Sequence, residues 1–255
     1  MDSEKIRETT VQLRTDVLTE RWDERTERLL GADAMRRLAE SRVLVVGVGG
    51  VGGYAAEMLA RSGVGHLTLV DSDEVSVTNL NRQLIALGST VGRSKTELFA
   101  RRFADINPAI SVKGLRLYLT PDNVAELLTE HYDYVVDCID TVAPKVSLIL
   151  SSLERGYPII SSMGAGGRTD VTKVGYFSLW DTREDGLARA VRQRLKSLGR
   201  KPSLKVVASS EAPSSSSLID VSERNKRTSY GTLATVPSLF GIYLANYVIK
   251  KLISN

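Results

Sequence analysis

Val43-Leu44-Val45-Val46-Gly47-Val48-Gly49-Gly50-Val51-Gly52 is an aliphatic run that stops at a glycine-rich turn, and what surrounds the turn decides how the chain is read. Four consecutive aliphatic residues bounded by glycine suit a buried strand. Gly47, Gly49, Gly50 and Gly52 let backbone N–H groups approach a phosphate where a helix begins. The next apolar run, His66 to Val70, ends at Asp71, an acid placed to bind ribose hydroxyls. Strand, turn, helix and strand make a βαβ unit of the length that a nucleotide-binding fold needs. A turn required only for packing would have no use for Asp71 at that distance.

Beyond the acid come Asp73, then Asn79-Leu80-Asn81-Arg82-Gln83, then Lys95 at the start of the next helical segment. An amide, a guanidinium and an ammonium soon after the ribose acid are more than hydride transfer requires. Arginine offers a planar fork to phosphate oxygens and lysine a compact charge, which together neutralise charge growing on a triphosphate attacked at its α-phosphorus. Asp73 has a solvated loop as its competing use, and isolated Arg82 or Lys95 would read as surface charges. Further on, Asp137-Cys138-Ile139-Asp140 closes an apolar strand at the carboxyl edge of the sheet, where ligands bind in open α/β folds. Asp140 suits Mg²⁺ shared with phosphate oxygens, or a helix cap for the segment entering at Pro144. Cys138, the sole cysteine, lies within a buried strand and reads as packing, not as a nucleophile.

Periodicity places the remaining elements. Trp22 to Ala39 reads as a helical arm, and Arg42 to Val46 as a strand. Helix is expected from about Gly52 to Ser62, from Ser94 to Ile106, from Pro121 to Glu130 and from Pro144 to Arg155. Strands are expected at Ser111 to Leu117, Tyr134 to Cys138 and Pro158 to Ser162. The alternation predicts an α/β, Rossmann-like, doubly wound and mostly parallel sheet. After it, Thr169 to Leu179 supplies antiparallel strands and Asp185 to Leu198 a basic helix. Gly199 to Thr228, rich in Ser, Lys and Arg, reads as a mobile crossover or lid. The expected organisation is a mobile segment over 1–20 and one ATP-binding adenylation domain over 21–255, with a nucleotide half (21–165) and a substrate and crossover half (166–255).

The 255 residues are 42% hydrophobic, enough for a full core, and the net charge of +4 permits a polyanionic partner without demanding one. A single cysteine excludes an internal disulfide and a Cys-rich zinc site, and suits a reducing compartment, so cytoplasm is expected. Residues 1–20 lack the apolar run of a secretory signal. Leu233 to Ile249 approaches the length of a membrane span but contains Pro237, Gly241 and Asn246, so it reads as a packed core helix and no stable membrane association is expected.

GVGGVG, LTLVDSDEVSVTNLNRQ, VGRSK and DCID, in that order, resemble the motifs of the ubiquitin-activating-enzyme-like (ThiF/MoeB-type) superfamily, which adenylates a carboxylate with ATP. The resemblance covers about Trp22 to Leu252. It implies Asp71 as ribose ligand, Asn79, Arg82 and Lys95 as triphosphate ligands and Asp140 as Mg²⁺ ligand. It also implies a homodimer in which an arginine of the N-terminal arm reaches the partner's ATP, a role that both Arg25 and Arg28 match. Two Cys-x-x-Cys pairs and a thioester cysteine are missing, which argues against the protein-modifier branch. Asp105-Ile106-Asn107-Pro108, Leu119-Thr120-Pro121-Asp122-Asn123-Val124, Gly164-Ala165-Gly166-Gly167 and Ser209-Ser210-Glu211 instead resemble the tRNA threonylcarbamoyladenosine dehydratase family.

That resemblance implies ATP-dependent, ligase-like activation of a threonyl carboxylate on tRNA, then cyclisation with release of AMP and pyrophosphate. The alternative is adenylation of a sulfur-carrier or ubiquitin-like protein C-terminus. For a tRNA substrate, Arg183, Arg189, Arg192, Arg194, Lys196, Arg200, Lys201, Lys205, Arg224, Lys226 and Arg227 are expected to form a phosphate-binding face near the site mouth. A base for ring closure is not evident: His66 and His131, the only histidines, lie at element edges.

Overall fold

The computed structural model describes residues 8–9, 21–223 and 226–254. Its elements, in chain order, are β1 (Glu8–Thr9), α1 (Glu24–Leu30), α2 (Ala32–Glu40), β2 (Arg42–Val46), α3 (Gly52–Arg61), β3 (His66–Val70), α4 (Lys95–Ile106), β4 (Ser111–Leu115) and α5 (Val124–Leu127). They continue with β5 (Tyr134–Asp137), α6 (Val142–Glu154), β6 (Ile159–Ser162), β7 (Val174–Ser178), α7 (Gly186–Ser197), β8 (Lys205–Ser209), β9 (Leu218–Glu223), β10 (Lys226–Tyr230) and α8 (Thr235–Ile253). The large sheet has the order β1-β4-β3-β2-β5-β6-β8-β7. Strands β2, β3, β4, β5, β6 and β8 are parallel, and β1 and β7 run antiparallel at its two edges. The chain winds outward from β2 through β3 to β4, then resumes on the other side of β2 with β5, so strand order reverses between β2 and β5. Crevices at such a switch point receive ligands in doubly wound folds.

Side chains alternate across the sheet. Val43 and Val45 of β2 enter a core with Leu59 of α3, Phe99 and Phe103 of α4 and Phe240 and Leu244 of α8. Leu44 and Val46 enter the opposite core with Leu148 and Ile149 of α6 and Val191 and Leu195 of α7. Buried on both faces, β2 reads as an uninterrupted aliphatic run. Helix α8 is apolar on most sides because it packs beside α3, against α2 and over β6, β7 and β8, and a side chain at Gly241 would meet the Val51 carbonyl at 2.4 Å. No helix among the described residues is long and apolar enough to cross a membrane.

Four expectations need correction. The arm is two helices, not one over Trp22 to Ala39, because Gly31 at φ +84° breaks the helical run. The expected helix over Pro121 to Glu130 contracts to α5, since the Asn123 side chain accepts from the Thr120 N–H (2.8 Å) and donates to the Tyr118 carbonyl (3.0 Å), forming a turn instead. Thr169 to Leu179 holds one strand, β7, preceded by a short 3₁₀ turn at Val171–Lys173. Gly199 to Thr228 is not a structureless crossover: it contains β8, an interior strand between β6 and β7 with Val206, Val207 and Ala208 buried, and most of the β9/β10 hairpin. The serines and lysines around β8 hid a short aliphatic run. The expected mobile segment over 1–20 lies outside the described residues except for β1, which pairs with Gly114 and Leu115 of β4.

Candidate nucleotide and substrate site

The turn after β2 is closed by contacts that exclude side chains. Gly47, at φ +84°, donates its N–H to the Val70 carbonyl (2.7 Å), and a Cβ there would meet the Cys138 carbonyl oxygen, at the exit of β5, at 3.0 Å. A Cβ on Gly52 would lie 1.7 Å from the Gly47 carbonyl oxygen. The turn therefore presents bare backbone at the β2/β5 switch point, and the N–H groups of Gly49, Gly50, Val51 and Gly52, ahead of the Gly53 N–H that bonds to the Gly49 carbonyl (3.0 Å), are available to an anion. Arg82 and Gln83 pack over the same turn: the position of a Gly50 Cβ is 3.3 Å from Arg82 Cγ, and that of a Gly49 Cβ is 3.5 Å from Gln83 Nε2.

Asp71 is joined to that turn. One carboxylate oxygen accepts from the Val48 N–H (2.8 Å) and the other from the Asp73 N–H (2.9 Å). Burial pushes its pKa up, opposed by Lys95 and by the two N–H donors. Lys95, first residue of α4, is 4% exposed, and its Nζ lies 2.8 Å from Asp73 Oδ2 and 4.0 Å from Asp71 Oδ1. The Lys95 N–H donates to the Asp73 carbonyl and the Val75 N–H to the Arg93 carbonyl, which pins the start of α4 onto the loop after β3. A lysine well beyond the ribose acid in sequence is thereby delivered into the same crevice.

Between them, Asn79 is buried and its side-chain oxygen accepts from the Ser76 N–H (3.1 Å), fixing a 3₁₀ turn over Val77–Asn79. Arg82 Nη1 donates to the Thr78 carbonyl (2.8 Å) and to Asn81 Oδ1 (2.9 Å), which leaves other guanidinium donors of Arg82 for a ligand. Gln83 is 8% exposed, and its Oε1 has no partner among the described residues. A buried acceptor of this kind suits a hydroxyl or amino donor of a bound nucleotide. Glycine cradle, buried ammonium and unpartnered acceptor together fit ATP.

At the exit of β5, Asp137 is fully buried and not free to bind a ligand: its Oδ2 accepts from Lys145 Nζ (2.7 Å) and Ser161 Oγ (2.6 Å), and its Oδ1 from the Ile139 N–H (3.0 Å). This network fixes the Cys138–Asp140 turn against β2 and β6. Lys145 and Ser161 escape a reading of the sequence; a lone lysine inside the largely apolar helix α6 (Val142–Glu154) is the available signal. Asp140 is exposed at the carboxyl edge, and no cluster of three or more His, Cys, Asp or Glu capable of holding a metal occurs among the described residues. One carboxylate plus phosphate oxygens is a donor set that magnesium accepts. Burial, with Asp137 adding to it, raises the Cys138 pKa far above neutral, so the thiol stays protonated. His66 begins β3 and His131 precedes β5, so both sit at the opposite, amino edge of the sheet. Arg28 pairs with Glu24 at 2.6 Å, while Arg25 is exposed and forms no ion pair among the described residues. Neither is hydrogen-bonded to the crevice residues.

The second half of the chain walls the crevice with a loop over 164–167, immediately after β6. Arg168, 3% exposed and unforeseen from the sequence, gathers that wall: its guanidinium donates to the carbonyls of Gly164, Glu211 (3.0 Å) and Glu184 (2.7 Å), and lies 3.6 Å from Asp185. Burial lowers its pKa, against the pull of Asp185 and Glu211. Gly167 exchanges backbone hydrogen bonds with Ser214 and Gly231, which seats the β9/β10 hairpin on the loop, and Asn81 Nδ2 donates to the Thr232 carbonyl (3.0 Å).

The basic side chains do not form one face. Arg183 precedes α7, and Arg189 and Arg192 lie in its first two turns. Arg200 is paired with Glu154 (2.8 Å), Lys201 lies over the Trp180 ring, and Lys205 begins β8 at the amino edge, far from the expected mouth. Arg224 and the side chains of Lys226 and Arg227 lie outside the described residues.

Residues 24–255 match the model of the ThiF family. The chain is similar to the tRNA threonylcarbamoyladenosine dehydratase of Bacillus subtilis (38% identity, covering 91% of this chain and 94% of that one). It is equally similar to the Escherichia coli enzyme of the same name (38% identity, 93% and 97%). Among solved structures, that E. coli dehydratase, TcdA, in complex with ATP superposes with a TM-score of 0.83 at 37% identity, covering 93% of this chain and 97% of that one.

Proposed function

The chain belongs to the ThiF family, and from that premise we propose that it is an ATP-dependent tRNA threonylcarbamoyladenosine dehydratase. The observation that carries the reading is Lys95: a buried ammonium brought by the first turn of α4 beside Asp71 and the glycine turn, where a triphosphate needs charge and a nicotinamide does not. Asp71 would hold the ribose, the amides of Gly49 to Gly52 the phosphates, and Asn79, Arg82, Gln83 and Lys95 the remaining nucleotide contacts, with Asp73 as the partner that Lys95 leaves when phosphate arrives. Asp140 would hold Mg²⁺, which supplies charge neutralisation between phosphates.

In this reading a threonyl carboxylate oxygen of the modified adenosine attacks the α-phosphorus, the bond to the β-phosphate bridging oxygen breaks, and pyrophosphate leaves. Arg82 and Lys95 stabilise the charge that grows on the phosphoryl oxygens. The carbamoyl group of the same modification then attacks the activated carbonyl, a ring closes and AMP departs, so that the base has lost the elements of water. Holding both groups on one substrate replaces a covalent enzyme intermediate, since effective molarities reach about 10⁵ M or more for well-oriented groups. The protonated Cys138 thiol agrees with a route without a thioester. Residues 21–255 act as one adenylation unit, in a homodimer where Arg25 or Arg28 reaches the partner's crevice.

The test is incubation with ATP and tRNA carrying threonylcarbamoyladenosine, with mass analysis of the base and radiolabelled pyrophosphate exchange. Loss of water and tRNA-dependent exchange are expected, and the Lys95→Ala protein should lose about 10²-fold or more in exchange rate. Exchange driven only by a carrier protein's C-terminus, with no change in tRNA mass, transfers the site to the alternative substrate.

A further inference from the structure

Helix α7 carries its positive charge in two sets with different surroundings. Toward its end and just beyond, Arg200 is neutralised by Glu154 and Lys201 rests on Trp180, while Arg194 and Lys196 lie in the last turn, where cations complement the helix dipole. Arg200 and Lys201 are thus engaged by a partner, and Arg194 and Lys196 by the helix end alone. In the segment just before the helix and in its first two turns the picture reverses. Arg183 and Arg192 converge on Thr182: Arg183 Nη1 donates to the Thr182 carbonyl (3.2 Å), and Arg192 Nη1 donates to the Thr182 hydroxyl and to the Leu179 carbonyl (3.2 Å). Arg189 stands one turn before Arg192 on the same helix. None of the three forms an ion pair among the described residues.

The carboxylate close to them is already committed. Asp185 caps α7 through the Ala188 N–H (2.8 Å), accepts from the Gly164 N–H (2.9 Å), and faces Arg168 at 3.6 Å. Burial lowers the pKa of Arg192, and the charges of Arg183 and Arg189 lower it further against the pull of Asp185. Three like charges held together, facing one carboxylate that is already bonded to Gly164, Ala188 and Arg168, leave a local positive potential, which draws polyanions.

The placement is as specific as the charge. Asp185 bonds to Gly164, just beyond the end of β6, and β6 neighbours β5, which leads into Asp140. Adjacent strands lie about 4.8 Å apart, so the start of α7 stands beside the carboxyl edge where the acid would be activated. Glu184, at φ +48°, is the one described residue other than glycine in the left-handed region, and the bond from Arg168 to its carbonyl holds it there. That backbone turn sets Arg183 and Asp185 on either side of the strained residue.

We propose that Arg183, Arg189 and Arg192 form the surface that docks the phosphodiester backbone of tRNA next to the modified adenosine. The rest of the basic stretch takes no part in that docking. The proposal rests on the dehydratase reading. A strand of phosphodiesters carries one negative charge per nucleotide, and the arginine fork matches phosphate oxygens in two-point contact.

The experiment measures the affinity of threonylcarbamoylated tRNA across a salt series for the full-length protein and three variants. Each phosphate that a side chain neutralises adds about 0.7–0.9 to the log–log salt slope. Arg183→Gln/Arg189→Gln/Arg192→Gln should therefore lower that slope by about 2 to 3 and weaken binding more than tenfold. Arg183→Gln/Arg189→Gln, which leaves the buried bonds of Arg192 intact, should lower the slope by about 1.4 to 1.8. Arg194→Gln/Lys196→Gln/Lys201→Gln should bind as the parent does. ATP affinity, read separately, reports the fold of each variant. An unchanged slope in the double variant, or an equal fall in the Arg194/Lys196/Lys201 protein, overturns the proposal, as does loss of carrier-protein binding with tRNA binding intact. If the parent protein binds tRNA but never dehydrates it, the functional reading fails while the docking surface stands.

Discussion

The crevice at the β2/β5 switch point and the wall beyond β6 are built by different means. The crevice is made by exclusion: neither Gly47 nor Gly52 has room for a side chain where they meet Cys138, and a fully buried ion pair of Asp137 and Lys145 braces the turn underneath. The wall is made by collection: one guanidinium, Arg168, gathers three backbone carbonyls from three separate segments. The difference teaches tolerance. A nucleotide phosphate is the same in every reaction cycle and suits a rigid cradle with no spare volume. A wall tied together through loop carbonyls can change sequence around its tether and so fit a larger, more particular substrate.

Substitutions that attack each device should differ in size and even in sign. The largest effect belongs to Gly52→Ala, whose methyl group would overlap the Gly47 carbonyl oxygen at 1.7 Å. ATP binding measured by calorimetry should vanish, and parent-like affinity would show that the turn is pliable. Next is Lys145→Met, which strands the Asp137 carboxylate in a fully buried position. It should cost about 3–5 kcal/mol in chemical denaturation, with most of that recovered in Asp137→Asn/Lys145→Met, where the amide oxygen can accept from the Ile139 N–H and the amide nitrogen donate to the Ser161 hydroxyl without a buried charge. A loss below about 1 kcal/mol in the single variant would mean that the turn does not depend on the pair. The smallest change lies in the wall, and it should be favourable. Glu184→Gly removes about 1–2 kcal/mol of left-handed strain and adds about 0.5–1 kcal/mol of chain entropy to be lost on folding, so a net gain of about 0.5–1 kcal/mol is expected from thermal unfolding. A destabilised Glu184→Gly protein would mean that the Glu184 side chain holds the wall and that φ is incidental.

The nucleotide half was legible because its signals are local. Aliphatic runs interrupted by glycine announce β2 and the start of α3, and Asp71, Asn79, Arg82 and Lys95 follow within one supersecondary unit. The structure brings Asp71, Asp73 and Lys95 into direct contact and lays Arg82 and Gln83 over the glycines. The second half resisted the same reading. β8 is five residues long and opens with an exposed lysine, and the hairpin after it follows the serines of 214–217, so composition pointed to a loop where sheet pairing made strands. Arg168 gave no signal at all, since one arginine after a glycine loop is an ordinary surface residue until the chain folds around it.

Sequence alone determined the βαβ start, the glycine cradle and the set of polar groups that a triphosphate would meet, because their order along the chain is itself the fold's instruction. Tertiary structure alone decided that Asp137 is spent on Lys145 and Ser161 and that Arg200 and Lys201, beyond α7, are engaged by Glu154 and Trp180 while Arg183 and Arg192 converge on Thr182. It also decided that carbonyls of three separate segments share one guanidinium. Those outcomes depend on which groups lose water together, and burial is a property of the packed whole that no short stretch of residues contains.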